Sequence, residues 1–256
     1  MEIALSTLFC LHKPFELALG DIIDSGMRLI EIVDAGQHTL TEDRVERLVE
    51  LKDEYDLRYS IHAPYTDVNI AADDPIIRGA ILERIEASIR WASMLEANVL
   101  VFHPGNSTAI ERFGPGLAWK INMESVDLIL SRAEKYSVSA LIENVPEPFP
   151  YVMKSVEDFQ RFFEEMERDV EMVLDVAHAN IRGETLSFIS GFSEAIGHVH
   201  VSDNNGDHDV HLHLGEGSID WAETITALRD VGYDGWVTVE SYEGVGESIR
   251  LLEGLI

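Results

Sequence analysis

Between residues 62 and 240 the chain repeatedly sets a histidine or a carboxylate at the end of a short apolar run. His62 follows RYSI, His103 follows NVLVF, Glu143 follows SALI and Asp175 follows EMVL. His200 lies inside GHVHVS, and Glu240 follows GWVTV. Each has an ordinary reading by itself. A lone histidine at a strand end is most often a hydrogen-bonded structural group, and a lone glutamate is usually solvated. Six such groups at equivalent places in successive runs are a different matter. Imidazoles and carboxylates crowded together away from water must neutralise one another or find a counter-charge. A divalent cation supplies it. Mixed histidine and carboxylate donors suit Zn²⁺, Mn²⁺ or Fe²⁺ better than Ca²⁺, which prefers oxygen alone.

The stretch HVHVSDNNGDHDVHLHLGEG, 198–217, collects five of the ten histidines. Side chains alternate along a strand, so His198, His200 and Ser202 share one face and Val199 and Val201 the other. The valines belong against helices, which turns His200 toward the functional rim and leaves His198 as an interior hydrogen-bonding residue. NNG at 204–206 signals a turn. Beyond it, Asp209 and His211 stand two apart on what reads as a returning extended arm aimed at one point. His213 could join them, or face substrate or solvent. His208 reads as loop, and Glu216, between two glycines, as a structural residue or one behind the ligands.

These residues need elements to hold them, and the chain supplies a regular rhythm. Apolar runs at 2–6, 28–33, 58–62, 98–103, 139–144, 171–176, 197–202 and 235–241 predict strands. Helices are expected at 15–24, at 42–55 behind a Thr41 cap, and from Asp74-Pro75 to about 95. On that third helix Ile76, Ile77, Ala80, Ile81, Ile85, Ile89, Ala92 and Met94 read as the apolar face. Further helices are expected within 113–136, from Ser155 to about 167, within 184–194, from Ser218 or Asp220 to about 231, and at 245–254. Parallel strands need helical crossovers, and eight βα units suggest closure into a (β/α)₈ barrel, with 1–256 as one domain. A doubly wound open sheet lacks support, because no GxGxxG follows a strand. In a barrel the strand ends singled out above share one mouth.

Composition excludes several alternatives. The formal net charge is −28, which repels phosphate backbones and anionic membranes. It also fits plain solubility or a salty cytoplasm. The single cysteine, Cys10, excludes an internal disulfide and points to a reducing compartment. The N-terminal residues carry no basic segment of a secretory signal, and no apolar run approaches the roughly 18 residues that span a bilayer. A cytoplasmic protein without a membrane partner is expected.

HAPY (62–65), FHPG (102–105), IEN (142–144), LDVAH (174–178), HVSDN (200–204), DVHLHLGEG (209–217) and VES (239–241), in this order and spacing, resemble the xylose-isomerase-like TIM-barrel superfamily. It includes the endonuclease IV group of apurinic-site nucleases (AP endonuclease family 2) and many sugar isomerases and epimerases. The resemblance covers nearly the whole chain. For the nuclease branch it implies a three-metal cluster on His62, His103, Glu143, Asp175, His178, His200, Asp209, His211 and Glu240. For the isomerase branch it implies one metal on Glu143, Asp175, His200 and Glu240, with His178 touching substrate. The smaller set lies inside the larger, so completeness does not separate the branches. Two departures weigh against the nuclease. The loop after the second strand, DAGQHTL (34–40), lacks the arginine that enters a DNA stack, and no basic stripe accompanies the acidic charge.

The favoured expectation is therefore a metal-dependent isomerase or epimerase of a small sugar or sugar phosphate. It would work through a metal-stabilised enediolate, with Glu143 and Glu240 as the acid/base pair and His178 stabilising the oxyanion. Tyr65 and His213 are the candidates for substrate contact. The cofactor expected is Zn²⁺ or Mn²⁺, in one to three ions. The alternatives are a zinc phosphoesterase that cleaves abasic duplex DNA and a non-catalytic metal- or sugar-binding barrel.

Overall fold

Runs rich in Val, Ile and Leu become parallel strands here because branched side chains suit a pleated surface buried on both faces. The computed structural model describes residues 1–256. The first half runs β1 (Glu2–Ser6), α1 (Phe15–Asp24), β2 (Leu29–Val33), α2 (Glu42–Tyr55), β3 (Arg58–His62), α3 (Pro75–Leu95), β4 (Leu100–Phe102) and α4 (Leu117–Lys135). The second half runs β5 (Ala140–Glu143), α5 (Val156–Glu165), β6 (Met172–Asp175), α6 (Val176–Ile181), α7 (Thr185–Gly191), β7 (Ile196–Val201), α8 (Trp221–Asp230), β8 (Trp236–Val239) and α9 (Val245–Glu253). The strands close in sequence order, with β8 parallel to β1, into a (β/α)₈ barrel. No helix is long and apolar enough to cross a membrane.

Alternation along each strand sorts the side chains. Ile30, Ile32, Tyr59, Ile61, Leu100, Phe102, Ile142, Leu174, Val199, Val201, Val237 and Val239 join the main apolar core between strands and helices. Val99, Val101, Leu141 and Val173 form a separate small cluster on the inner face. Above it the inner face turns polar, with Glu31, Ser60, His62, Glu143, Asp175, His198, His200, Thr238 and Glu240 all buried. His103 and Glu240 stand one residue beyond the ends of β4 and β8, where the chain leaves the barrel toward its mouth.

Several local expectations change. Thr41 occupies the cap position of α2 with extended backbone, but its side chain makes no capping bond. Ile76, Ile77 and Met94 are not on the buried face of α3, which consists of Leu82, Ile85, Ser88, Ile89, Ala92 and Leu95. Ile76, 83% exposed, and Ile77 instead line an open groove with Val68. The helix expected within 113–136 is present as Leu117–Lys135, behind Gly114-Pro115-Gly116. The cap of α8 is Asp220, which accepts from the Glu223 N–H, and not Ser218. Ser155 forms a reciprocal capping box with Asp158, as an N-terminal serine ahead of an acidic residue should. The short α6 was not anticipated. Asp175 ends β6 and caps α6 at once, accepting the His178 N–H at 2.7 Å.

The segment after β7 folds back through Asp203. Its backbone exchanges two hydrogen bonds with Leu212. Its carboxylate accepts from the N–H groups of Asn204 and Gly215 and from the Trp221 indole. A side chain at Gly217 would strike Asp203 and the Asn204 carbonyl, so only glycine lets the loop pass there. This fold-back carries Asp209 and His211 to the barrel mouth.

Candidate metal centre

The structure brings all nine expected ligand residues to one end of the barrel, in three groups, two of which share Glu143. Glu143, Asp175, His200 and Glu240 each offer an atom within 4.8 Å of the others. His62, His103 and Glu143 form a second group, and His178, Asp209 and His211 a third. Glu143 links the first two: its Oε2 lies 3.0 Å from His103 Nε2 and 3.3 Å from His62 Nε2, and its Oε1 3.3 Å from His200 Nδ1. His200 Nδ1 also lies 3.4 Å from Glu240 Oε2. His178 Nε2 and His211 Nε2 flank Asp209 Oδ2 at 3.4 and 3.2 Å.

Backbone carbonyls aim three of these rings. Nδ1–H of His62 donates to Ala63, that of His178 to Asn144 and that of His211 to Glu240, at 2.8, 2.8 and 2.9 Å. Each Nε2 is thereby turned toward the cluster, the usual arrangement behind a metal-binding imidazole. His211 holds this pose from a left-handed backbone, φ 47°.

The electrostatics carry the mark of a cation site. Burial raises the Asp175 carboxyl to about 7, against the pull of His178 and with the help of Glu143 and Glu240. Burial would lower His178, but Asp175 and Asp209 hold it up to about 10. His200 is held well above its ordinary value by Glu240, Glu31 and Glu143, also against burial. Burial outweighs Glu143 at His103, which is lowered. Asp175 Oδ2 and Asp209 Oδ1 are buried without a hydrogen-bond partner. A buried carboxylate oxygen so placed is costly unless a proton or a cation meets it. At these oxygens the donor set (imidazole nitrogen and carboxylate oxygen at mutual reach) suits a divalent ion such as Zn²⁺ or Mn²⁺. The residues fit the cofactor.

Above these groups opens a cavity of about 300 Å³, at the lower end of the size range of small-molecule clefts. His62, His103, Glu143, His178, Asp209, His211 and Glu240 line its floor, and Tyr65, Phe149, Tyr151, Tyr242, Leu8 and Val33 its walls. No lysine or arginine lines it. Tyr65 lines the cavity wall, its ring 5.4 Å from that of His62. His213 does not line the cavity. It is one-third exposed and its Nδ1 lies 2.8 Å from Glu216 Oε2, so the alternation that brings Asp209 and His211 inward stops before His213, which turns outward. His208 is exposed beside Asp207, and Glu216 serves only His213.

Sequence reasoning missed the other aromatics. Tyr242 directly follows VES, and Phe149 and Tyr151 sit in the Pro-rich EPFPY after β5, which are the signals that could have found them. It also missed Glu31, in the run RLIEIV, where a charged residue amid apolar neighbours at inward parity was the available clue.

Residues 19–255 match the family described as xylose isomerase-like TIM barrel. The chain belongs to this family. Among xylose isomerase-like barrels it is 29% identical to the uncharacterized protein MJ1311 of Methanocaldococcus jannaschii, over 94% of this chain and 84% of that one. It is 22% identical to the fructoselysine 3-epimerase of Shigella flexneri, over 90% of this chain and 87% of that one. A solved D-tagatose 3-epimerase-like protein superimposes with a TM-score of 0.94 at 27% identity, covering 100% of this chain and 97% of that one. Named relatives of this xylose isomerase-like barrel are thus sugar epimerases.

The loop at 34–40, where a duplex-binding relative would present an arginine, is built for another purpose here. Asp34 is fully buried and takes both ends of the Arg84 guanidinium, at 2.5 and 2.9 Å. The one arginine that α3 brings to this loop is locked by a bidentate pair and is not offered to a ligand.

Proposed function

We propose that this xylose isomerase-like barrel is a divalent-metal-dependent epimerase or isomerase of a small unphosphorylated sugar. The observation that carries this reading is the cavity itself: a His/carboxylate floor under aromatic walls, with no lysine or arginine to meet a phosphate. Tyrosines beside a wet polar floor suit the apolar faces and hydroxyls of a sugar. The epimerase names of the relatives support the same class of reaction.

Glu143, Asp175, His200 and Glu240 are the residues that would hold the metal. A divalent cation there supplies Lewis-acid charge for the oxygens on which negative charge develops. The chain's own residues do the rest. Glu143 and Glu240 come from β5 and from the end of β8, both beside His200 Nδ1, so they can flank one substrate. One carboxylate takes the proton from the carbon beside the carbonyl, and the other returns a proton on the opposite side. His178, its Nδ1 held by the Asn144 carbonyl, turns Nε2 into the cavity and is placed to donate Nε2–H, when protonated, to a developing oxyanion. Tyr65 and the other wall aromatics exclude water and hold the sugar ring.

The test is elemental analysis of protein purified without chelator, followed by incubation with free ketoses in D₂O. One exchangeable Mn²⁺ or Zn²⁺ per chain and metal-dependent deuterium incorporation at a carbon beside the carbonyl is the expected result. A second reading, a phosphoesterase, is favoured by the two further ligand groups around His62/His103 and Asp209/His211. Three tightly held zincs and cleavage of an abasic duplex, without sugar exchange, would establish it instead. Metal and sugar binding with no turnover of either substrate would leave a binding barrel.

A further inference from the structure

His62, His178 and His211 turn Nε2 to the cluster and spend Nδ1 on a backbone carbonyl. His200 is reversed. Its Nδ1 faces Glu143 and Glu240, so Nε2 points down into the barrel, where no carbonyl receives it. The group it meets is Glu31: His200 Nε2 lies 3.1 Å from Glu31 Oε1, a close charge contact that is not aligned as a hydrogen bond, and neither atom has a hydrogen-bond partner elsewhere. Both side chains are completely buried.

We propose that Glu31 is a positioning residue that fixes the tautomer and aim of His200, so that Nδ1 is the atom turned to the metal centre. A neutral imidazole carries one N–H, and a carboxylate can only accept, so Glu31 favours the proton on Nε2 and leaves the Nδ1 lone pair free. Such partners behind a ligand also restrain the ring's rotation. Glu31 is itself held. Its Oε2 accepts from Ser60 Oγ at 3.0 Å and lies 3.1 Å from His198 Nε2, which also meets Thr238 Oγ1 at 2.9 Å. Register makes this possible: Glu31 lies opposite Ser60 on β3, and His200 opposite Thr238 on β8. A carboxylate in the interior of a barrel usually packed with branched apolar residues is costly, and this network gives it a purpose. Glu31 does not line the cavity, and His200 is the rim residue it contacts, so it acts through His200.

This inference rests on reading the rim as a metal centre, and the experiment separates the two. The full chain is stripped with chelator and titrated with Mn²⁺ and with Zn²⁺ by calorimetry, as wild type, Glu31→Gln and Ser60→Ala. Long-range ¹H–¹⁵N spectra of the Zn²⁺-loaded proteins report the His200 tautomer. The expected result is roughly 10–100-fold weaker metal binding in Glu31→Gln, with stoichiometry unchanged. His200 is protonated at Nε2 in the wild type and mixed in the variant. Ser60→Ala, which loosens Glu31 without removing it, should weaken binding by about 2–10-fold and keeps the test available if Glu31→Gln does not fold. Unchanged affinity with lowered metal-free stability would mean that Glu31 is only structural and overturns the proposal. Loss of one bound ion per chain would also overturn it, since Glu31 would then be a ligand of its own site. A wild type that binds neither metal overturns the metal centre and this inference together.

Discussion

Stripping the metal should make this protein lose stability as pH rises above neutral. The perturbation acts most clearly at His178, whose Nε2 faces Asp209 at 3.4 Å and whose Nδ1 lies 3.6 Å from Asp175. Its pKa is raised from 6.5 to about 10 in the folded chain. A histidine raised in this way adds stability that is fully present below about pH 6.5 and is lost as pH climbs through about 10. From pH 7 to pH 9 the folded state keeps this proton while the unfolded state does not, which removes on the order of 2–3 kcal/mol. For a chain of this length that is a fall in Tm of about 5–10 °C. Asp175, raised to about 7, acts in the same direction through the lower part of the window. Asp209 and Glu143 are held low by the facing histidines against their burial, so their contributions are complete above the ordinary carboxylate range and stay constant here. His103, lowered by burial, is already neutral there. The assay is thermal unfolding of chelator-stripped and Zn²⁺-loaded protein in matched buffers at pH 7, 8 and 9. The stripped protein should fall steeply and the loaded one much less, because a bound cation replaces the protons. A stripped Tm that is flat or rises between pH 7 and 9 would refute the proton-for-cation argument.

Other expectations are quicker to check. Glu240→Gln should lower turnover of the responsive sugar by about 10²–10⁴-fold, since it removes one member of the acid/base pair and a ligand together; turnover within a few-fold of wild type would exclude that role. His62→Ala should cost far less than Glu240→Gln if a single ion at Glu143, Asp175, His200 and Glu240 suffices. Equal, complete loss in parallel assays would point to a multinuclear site. Gly217→Ala should destabilise the fold by about 1–3 kcal/mol in urea unfolding, because its methyl collides with Asp203 and the Asn204 backbone. An unchanged midpoint would mean that the loop after β7 can yield.

Much of this site was legible because it is written in local terms. Strand parity turned His198 and His200 inward before any contact was known, since alternation is a property of the extended chain itself. The recurrence of His62, His103, Glu143, Asp175 and Glu240 at the ends of apolar runs located the mouth, because strand ends share one rim once the barrel closes. Even the returning arm was foreseeable from NNG and the spacing of Asp209 and His211. Parity does not extend to an irregular loop, however, and His213 points outward to Glu216. The apolar spacing on α3 likewise counted Ile76 and Ile77 as core, because periodicity records a helix face without recording where the barrel stops covering it.

The sequence alone thus determined the eight βα units, the inward parity and the chemical character of the rim. Only the tertiary structure decided which atoms meet. That Glu31 lies under His200, that His200 alone presents Nδ1, that Arg84 is locked by Asp34, and that aromatics from three separate segments wall the cavity all depend on barrel closure and inter-strand register. Those contacts join residues tens to hundreds of positions apart. Local propensity and period fix which face a side chain takes, whereas its partner across the barrel is set by how every strand packs against the next.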